Sequence, residues 1–157
     1  MEAANVVLLP AIALALGFPQ DLMEALAVGL AIVATAGFLV VGAAFWRGID
    51  RRVRFADRVS GEQALDLAER VEQPLLVATG AAAAATLAAL SLSGWTASVI
   101  AAALLTLLAA LEYVNYYHRQ LQHFDNLADL KRLFTGRGFK PSHMARSLAA
   151  RRKARRN

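Results

Sequence analysis

Residues 22–46 read LMEALAVGLAIVATAGFLVVGAAFW, an apolar run of 25 residues in which Glu24 is the only charged side chain. As an α-helix at 1.5 Å per residue, this run is about 37 Å long, which exceeds the roughly 30 Å hydrocarbon core of a bilayer. Surface helices of soluble proteins carry a polar face, which this run lacks. The stretch therefore predicts a membrane span.

Three further apolar segments lie at residues 3–18, 74–92 and 96–117. The first is short, about 24 Å as a helix, and contains Pro10, which a membrane helix tolerates with a kink. We interpret it as a span, because it lacks the basic start and small-residue cleavage site of a signal peptide. The pattern predicts an all-α integral membrane protein, a four-span helical bundle, or a three-span one if the first segment does not cross.

The composition agrees with this fold class. Hydrophobic residues make up 57% of the chain and charged residues 18%, whereas soluble domains have about 45–50% and about 25%. The chain contains no cysteine, which excludes disulfides, thiolate metal sites and cysteine nucleophiles.

The basic residues predict the orientation. Residues 131–157 contain ten Lys or Arg and no acid, and residues 47–73 contain six Arg, while the turns at 19–24 and 93–95 contain none. The positive-inside rule therefore places the 47–73 loop and the C-terminus in the cytoplasm. These two assignments require an even number of crossings between them, and two apolar segments supply it. The high alanine and arginine content is typical of a high-GC bacterium, which indicates the bacterial inner membrane.

The sequence thus divides into a transmembrane bundle, residues 1–117, and a basic cytoplasmic helical tail, residues 118–157. We expect the cytoplasmic loop to contain an amphipathic helix that Ser60 caps, and Pro74 to open the next span. Beyond the last span the helix is predicted to continue to Phe134. A short basic helix is predicted after Pro141.

Small residues recur at four-residue spacing on three of the spans, which lets helix backbones approach closely. They indicate close packing and a homo-oligomer, and the alanine-rich third span is predicted to lie inside the bundle. The faces are Ala25, Gly29, Val33 and Gly37; Gly80, Ala84 and Ala88; and Ala102, Thr106 and Ala110.

Glu112 is the only ionisable residue well inside a predicted span, and a carboxylate at membrane depth is costly unless it is paired or protonated. Helical spacing places polar side chains of four kinds near it at the cytoplasmic interface, namely Asn115, Tyr116, His118 and Arg119. Such a cluster could contact a lipid headgroup or an ion, relay protons, or act in catalysis. The alternative is a structural role, in which Glu112 pairs with an arginine and joins two helices.

No catalytic signature, metal site or cofactor motif is predicted. His118 and His123 are five residues apart, so a helix does not bring them side by side, and Glu112 lacks the histidine of the Glu-x-x-His pattern of di-iron bundles. Gly136 and Gly138 are too close together for a phosphate-binding loop.

The arginine and lysine residues beside the membrane are predicted to contact anionic lipid headgroups, or to serve only in fixing topology. Nucleic acid is disfavoured as a partner, because no base-reading module accompanies the basic tail. A membrane-protein partner is the other alternative. The predicted headgroup contacts are Arg47, Arg51, Arg52, Arg54, Lys131, Arg132, Arg151, Arg152 and Lys153.

The leading functional hypothesis is a non-enzymatic one: a scaffold or accessory subunit that binds a partner or anionic lipid through its cytoplasmic face. An oligomeric channel or transporter is the first alternative, although polar groups near the midplane are few. A lipid-headgroup-acting enzyme that uses Glu112 or His118 is the second. The candidates for lining a pore are Thr35, Thr79, Thr86 and Thr106.

Overall fold

A computed structural model of the protein describes residues 2–121 and 140–155. In this part of the chain five helices follow one another: α1 (Glu2–Leu16), α2 (Leu22–Phe55), α3 (Val59–Ser93), α4 (Ala97–Tyr117) and α5 (His143–Ala154). The described residues form no β-strand beyond a single antiparallel bridge between Arg119 and Pro141. The prediction of an all-α fold is confirmed.

Three of these helices are long and apolar enough to cross a membrane. α2, α3 and α4 contain 34, 35 and 21 residues, and together they make the chain a multi-pass membrane protein. α1 is apolar but has only 15 residues, about 22 Å of helix. A fourth crossing, by α1, stays a prediction.

α2 and α3 pack against each other as a helical hairpin. Each is about 50 Å long, which exceeds a hydrocarbon core of about 30 Å, and the parts beyond the apolar runs, residues 47–55 of α2 and 59–73 of α3, are about 14 Å and about 22 Å of helix. We call the extension formed by residues 47–73 the projecting hairpin. Its two helices approach closely at Gly48, where a methyl group would lie 3.1 Å from both the Gly61 Cα and the Ser60 carbonyl oxygen.

The turn at the tip of the hairpin corrects two predictions. α3 begins at Val59 and continues through Pro74 without a break, so the expected separate helix in the loop and the new helix start at Pro74 are both wrong. Asp57 caps α3 in place of Ser60, since its Oδ1 atom accepts the backbone N–H groups of Val59 (3.0 Å) and Ser60 (3.2 Å). Ala56 ends α2 in the left-handed conformation, with φ 53°.

Met1–Ala110 form one compact unit, with a core built from small side chains. Four helices contribute to this core, because alanine lets their backbones come close. The hydroxyl of Thr35 on α2 donates to the carbonyl of Leu105 on α4 at 2.8 Å, which ties two helices together within the core. The buried core residues are Ala13, Ala27, Val28, Ala31, Ala82, Ala89, Val99, Ala101, Ala102 and Leu105.

One of the predicted small-residue faces lies on the surface of this unit at Gly80 and Ala84, and another does so at Gly29, although its Gly37 packs against the Leu75 side chain. A methyl group added at Gly29 or at Gly80 would meet no atom of the described residues within 4 Å, and Ala84 is exposed. α3 instead packs through its other face, which includes Ala82 and Ala89. The alanine-rich third span therefore contributes Ala82 and Ala89 to the core, while its Gly80 and Ala84 face is exposed.

Leu111–Asn157 form a second compact unit. In its described part α4 ends at Tyr117, so the predicted continuation of the helix is wrong for residues 118–121, and the rest of that prediction falls outside the described residues. The predicted basic helix after Pro141 is present as α5. Ser142 caps it by accepting the Ala145 N–H at 3.0 Å and donates its hydroxyl to the Tyr116 carbonyl.

Candidate functional site

Glu112 lies half-buried on the last two turns of α4. Its side chain hydrogen bonds with the side chains of Asn115 and Tyr116. Asn115 in turn accepts the backbone N–H of Leu121 at 2.9 Å through its Oδ1 atom. Three of the five predicted residues therefore form one connected polar group at the end of α4, and the Glu112 Oε2 atom is buried there without a hydrogen-bond partner among the described residues.

The other two predicted members lie beyond the end of the helix. His118 is exposed and meets Tyr113 edge-on, with 5.0 Å between ring centroids. Arg119 is exposed and forms the bridge with Pro141. The prediction of one shared face assumed a continuous helix, and that assumption fails after Tyr117.

Two arginines of the projecting hairpin form ion pairs with aspartates. Arg54 pairs with Asp50 at 2.6 Å, and Arg51 pairs with Asp57 at 3.0 Å. The hydrogen bonds from the Ser60 hydroxyl and backbone N–H, together with Arg51, hold the pKa of Asp57 below its ordinary value. Arg52 is exposed. These are surface pairs, which contribute little stability but fix where the positive charges lie.

A polar cavity of about 310 Å³ lies between α2 and α3 within the projecting hairpin. Arg47 and Arg51 line it from α2, and Ser60 and Gln63 line it from α3. Buried Gly48 lies between the two arginines in sequence and also lines the cavity. Two guanidinium groups and an amide supply hydrogen-bond donors of the kind that a phosphate group requires, while the Ser60 hydroxyl already donates to the Asp57 Oδ2 atom at 2.6 Å.

The remaining predicted lipid contacts belong to the C-terminal tail. Arg152 and Lys153 are exposed on α5, and Arg151 is half-buried. Met144 and Leu148 are buried on the other side of the same helix. Lys131 and Arg132 lie outside the described residues.

The threonines considered for a pore have different surroundings. Thr35 donates to Leu105, and Thr79 donates to the Leu75 carbonyl one turn earlier at 2.8 Å. Within the described part of the chain, the hydroxyl oxygens of Thr86 and Thr106 are buried without a hydrogen-bond partner. Two of the four hydroxyls are therefore already used within the bundle.

The structure also shows a polar group that the sequence pattern did not predict, at the opposite end of α2 from the arginines. Glu24 is 1% exposed and accepts three hydrogen bonds. The donors are the Gln20 backbone N–H at 2.8 Å, the Thr96 hydroxyl at 2.8 Å and the Ser98 hydroxyl at 2.7 Å. We call these residues, with Asp21, the Glu24 cluster.

Asp21 completes this cluster. It caps α2 by accepting the Glu24 backbone N–H at 2.8 Å and accepts the Ser93 hydroxyl from the end of α3 at 2.8 Å. These two hydrogen bonds lower the pKa of Asp21. The cluster therefore joins the start of α2 to the end of α3 and the start of α4.

The sequence contains a signal for the two acidic residues of this cluster. Asp21 and Glu24 form the D-x-x-E spacing of a capping box directly before an apolar run. The spacing predicts the cap, but it contains nothing about Thr96 and Ser98, which are 72 and 74 residues away from Glu24 in sequence. The cluster is a structural joint, since the hydroxyls of Ser93, Thr96 and Ser98 donate across helix ends to its two carboxylates.

Among the described residues, no group of three or more histidine, cysteine, aspartate or glutamate side chains is arranged to hold a metal ion. Comparison with protein-family models, with curated proteins and with solved structures finds no match for the chain.

Proposed function

We propose that the protein is a scaffold or accessory subunit of the bacterial inner membrane, which binds a partner protein or anionic lipid through its cytoplasmic face. The observation that carries this proposal is the projecting hairpin. A helical pair that continues for about 14 Å in α2 and about 22 Å in α3 beyond the apolar runs offers a surface to another molecule.

The tip of the hairpin has the composition of a protein-binding surface. Val53, Phe55 and Val59 are 79%, 72% and 65% exposed. Exposed apolar residues with a charged rim are typical of interaction sites, and arginines surround these three. We propose that this apolar tip contacts a membrane-protein partner.

The two helices of the hairpin carry opposite charge. Residues 47–58 contain five Arg and two Asp, a net charge of +3, while residues 59–73 contain four acids and one Arg, a net charge of −3. Such a polarised surface favours one docking orientation over another, because electrostatic complementarity contributes specificity.

Capture of a partner tests this proposal. The full chain, purified in a gentle detergent, is expected to retain a stoichiometric membrane-protein partner, and Val53→Ser with Phe55→Ser is expected to lose it. Gln73→Ala, an exposed polar change on the same hairpin, is the control and should retain it. Equal recovery with the tip variant and wild type would exclude the tip as the binding surface.

We further propose four spans with both termini in the cytoplasm. α1 supports this topology, because Val6 and Val7 line a groove together with Val40 and Arg47 near the basic end of α2. At its other end, Gly17 lies against Ala97, where a methyl group would come within 2.7 Å of the alanine Cβ. α1 therefore runs antiparallel to α2 along much of its apolar length.

The absence of cysteine from the chain makes this topology simple to test. A membrane-impermeant maleimide applied to intact cells should label Ser91→Cys, and should label Ala4→Cys and Ala149→Cys only after lysis. All three positions are exposed. External labelling of the position 149 variant would reverse the orientation, and external labelling of the position 4 variant alone would reduce the count to three spans.

We also propose a homo-oligomer through the exposed small-residue faces. Gly29 and Gly80 are exposed, and small residues on a lipid-facing surface allow a second copy to approach closely. Gly80→Leu is expected to lower the oligomer fraction in analytical ultracentrifugation, while Leu87→Ala, at an exposed position on the same helix, should not. Unchanged sedimentation of the glycine variant would count against this interface.

A further inference from the structure

An apolar groove of about 390 Å³ lies between α1 and α2. Its walls are the side chains of Val6, Val7, Val40 and Ala43, and it ends at Arg47. Ligand pockets that hold small molecules have volumes of roughly 300–1,000 Å³ and mostly apolar walls. The groove is therefore large enough for a chain of methylene groups.

This groove adjoins the polar cavity of the projecting hairpin. Both are lined by Ala44 and Arg47, so the apolar walls lead directly to the two guanidinium groups. Arg47 follows Trp46, which is 48% exposed, and aromatic residues of this kind mark the membrane interface. The change from apolar to basic lining thus occurs where a lipid changes from acyl chain to headgroup.

The arginines keep donors for an additional ligand. Within the described residues the Arg47 side chain has no hydrogen bond or ion pair. Arg51 contacts Asp57 through its Nε atom, and a guanidinium carries five N–H donors, so most of its donors are not used by that contact. A phosphate oxygen is a stronger acceptor for such groups than a neutral one.

We propose that the groove and the polar cavity together bind one anionic glycerophospholipid from the surrounding bilayer. An acyl chain lies along Val6, Val7 and Val40, and the phosphate lies against Arg47 and Arg51. This site deepens the lipid-binding part of the proposed function and rests on it. The positive charge of the cavity disfavours a headgroup that carries its own ammonium group.

Native mass spectrometry of the full chain tests the headgroup half of the site. The purified protein is given equal amounts of phosphatidylglycerol and phosphatidylethanolamine, and retained lipid is counted for each variant. Arg47→Gln with Arg51→Gln is expected to weaken phosphatidylglycerol binding about thirtyfold, from the attraction of two bases. Arg58→Gln with Arg70→Gln removes the same charge at two exposed positions that do not line the cavity, and should change binding less than about threefold.

Equal weakening in the two double variants would overturn the proposal, because it would show attraction by net charge alone. The acyl half is tested by Ala43→Phe, which fills the groove without changing charge and should lower retention at least about fivefold. Val33→Phe, at an exposed position of the same helix, should not. Wild-type retention by the Ala43 variant, or displacement of the lipid by glycerol 3-phosphate, would also overturn it.

Helicity by circular dichroism, measured for each variant, separates loss of lipid from loss of fold. Partner capture, measured on the same preparations, separates this proposal from the previous one. If the groove variants bind lipid as the wild type does and still retain the partner, the lipid site is excluded and the proposed function is unaffected.

Discussion

Ser98→Ala is expected to weaken the joint between the helix ends at the Glu24 cluster. The Ser98 side chain is 2% exposed and donates to the Glu24 carboxylate at 2.7 Å. A hydrogen bond to a charged acceptor contributes about 1.5–3 kcal/mol in soluble proteins, while interhelical hydrogen bonds in membranes average about 0.6 and reach about 1.7. Because this acceptor is charged, we expect a loss near the upper membrane value, about 1.5 kcal/mol, or roughly a tenfold change in the folded-to-unfolded ratio.

The assay is reversible unfolding of the purified chain in mixed micelles with increasing denaturing detergent, followed by circular dichroism. Glu24→Ala should destabilise the protein more than Ser98→Ala, because it leaves three donors without their acceptor. In the Glu24→Ala background, Ser98→Ala should cost less than it does alone, since the bond is already absent. Gln20→Ala is the control, because the Gln20 backbone N–H is retained and its side chain donates only to the exposed Phe18 carbonyl.

Full additivity of the Glu24 and Ser98 substitutions would refute this reasoning. So would a Ser98→Ala protein as stable as the wild type. Either result would mean that the carboxylate and the hydroxyl do not stabilise the bundle through each other.

Three further predictions concern the projecting hairpin. Gly48→Ala should lower the free energy of unfolding by about 1 kcal/mol in the same micelle assay, because the added methyl group would meet two backbone atoms at 3.1 Å. Gly61→Ala is the control and should be neutral or stabilising, because its methyl group would meet no described atom within 4 Å. Ala56→Gly should stabilise the hairpin by up to about 1 kcal/mol, since glycine adopts the left-handed conformation of this position without strain; a loss of stability would contradict this. Folding lowers the pKa of Asp57, so its contribution to stability is present above its ordinary pKa of 3.8 and is lost as the pH falls through the lower value of the folded protein. Asp57→Asn should therefore reduce the dependence of the unfolding free energy on pH at the acid end. Parallel plots of unfolding free energy against pH for the two proteins would contradict this prediction.

The predicted helices agree with the structure where hydropathy alone is sufficient to specify a helix. The apolar run at 22–46 specifies a long helix by itself, because in hydrocarbon every backbone N–H and C=O must be paired within the segment. The same holds for α4, whose predicted and observed ends at residues 96–97 and 117 nearly coincide.

The prediction was less accurate where a boundary depends on neighbours. Ser60 has the local signature of a helix cap, but Asp57 accepts the N–H groups at the start of α3. Pro74 ends many helices in water, yet α3 continues through it while packed along α2. At the first place the cap is a different residue three positions earlier in the chain, and at the second the helix passes through the proline, so in neither place did the predicted signal mark the start of a helix.

Among the polar sites, one that lies within a single helix was predicted, and one that joins distant parts of the chain was not. The predicted face of Glu112, Asn115 and Tyr116 lies within one helix and is present, because helical spacing alone places three residues side by side. His118 and Arg119 depart from it because the helix ends first. The Glu24 cluster needs two hydroxyls from another part of the chain, and no local spacing relates Glu24 to Thr96 and Ser98.

Hydropathy along the chain was thus sufficient to establish a helical membrane protein, since each span satisfies its own backbone. The fold alone showed which faces pack, which arginines share a cavity, and where α1 lies against α2. These features depend on distances between side chains that are far apart in sequence, and only the packing of the helices sets those distances.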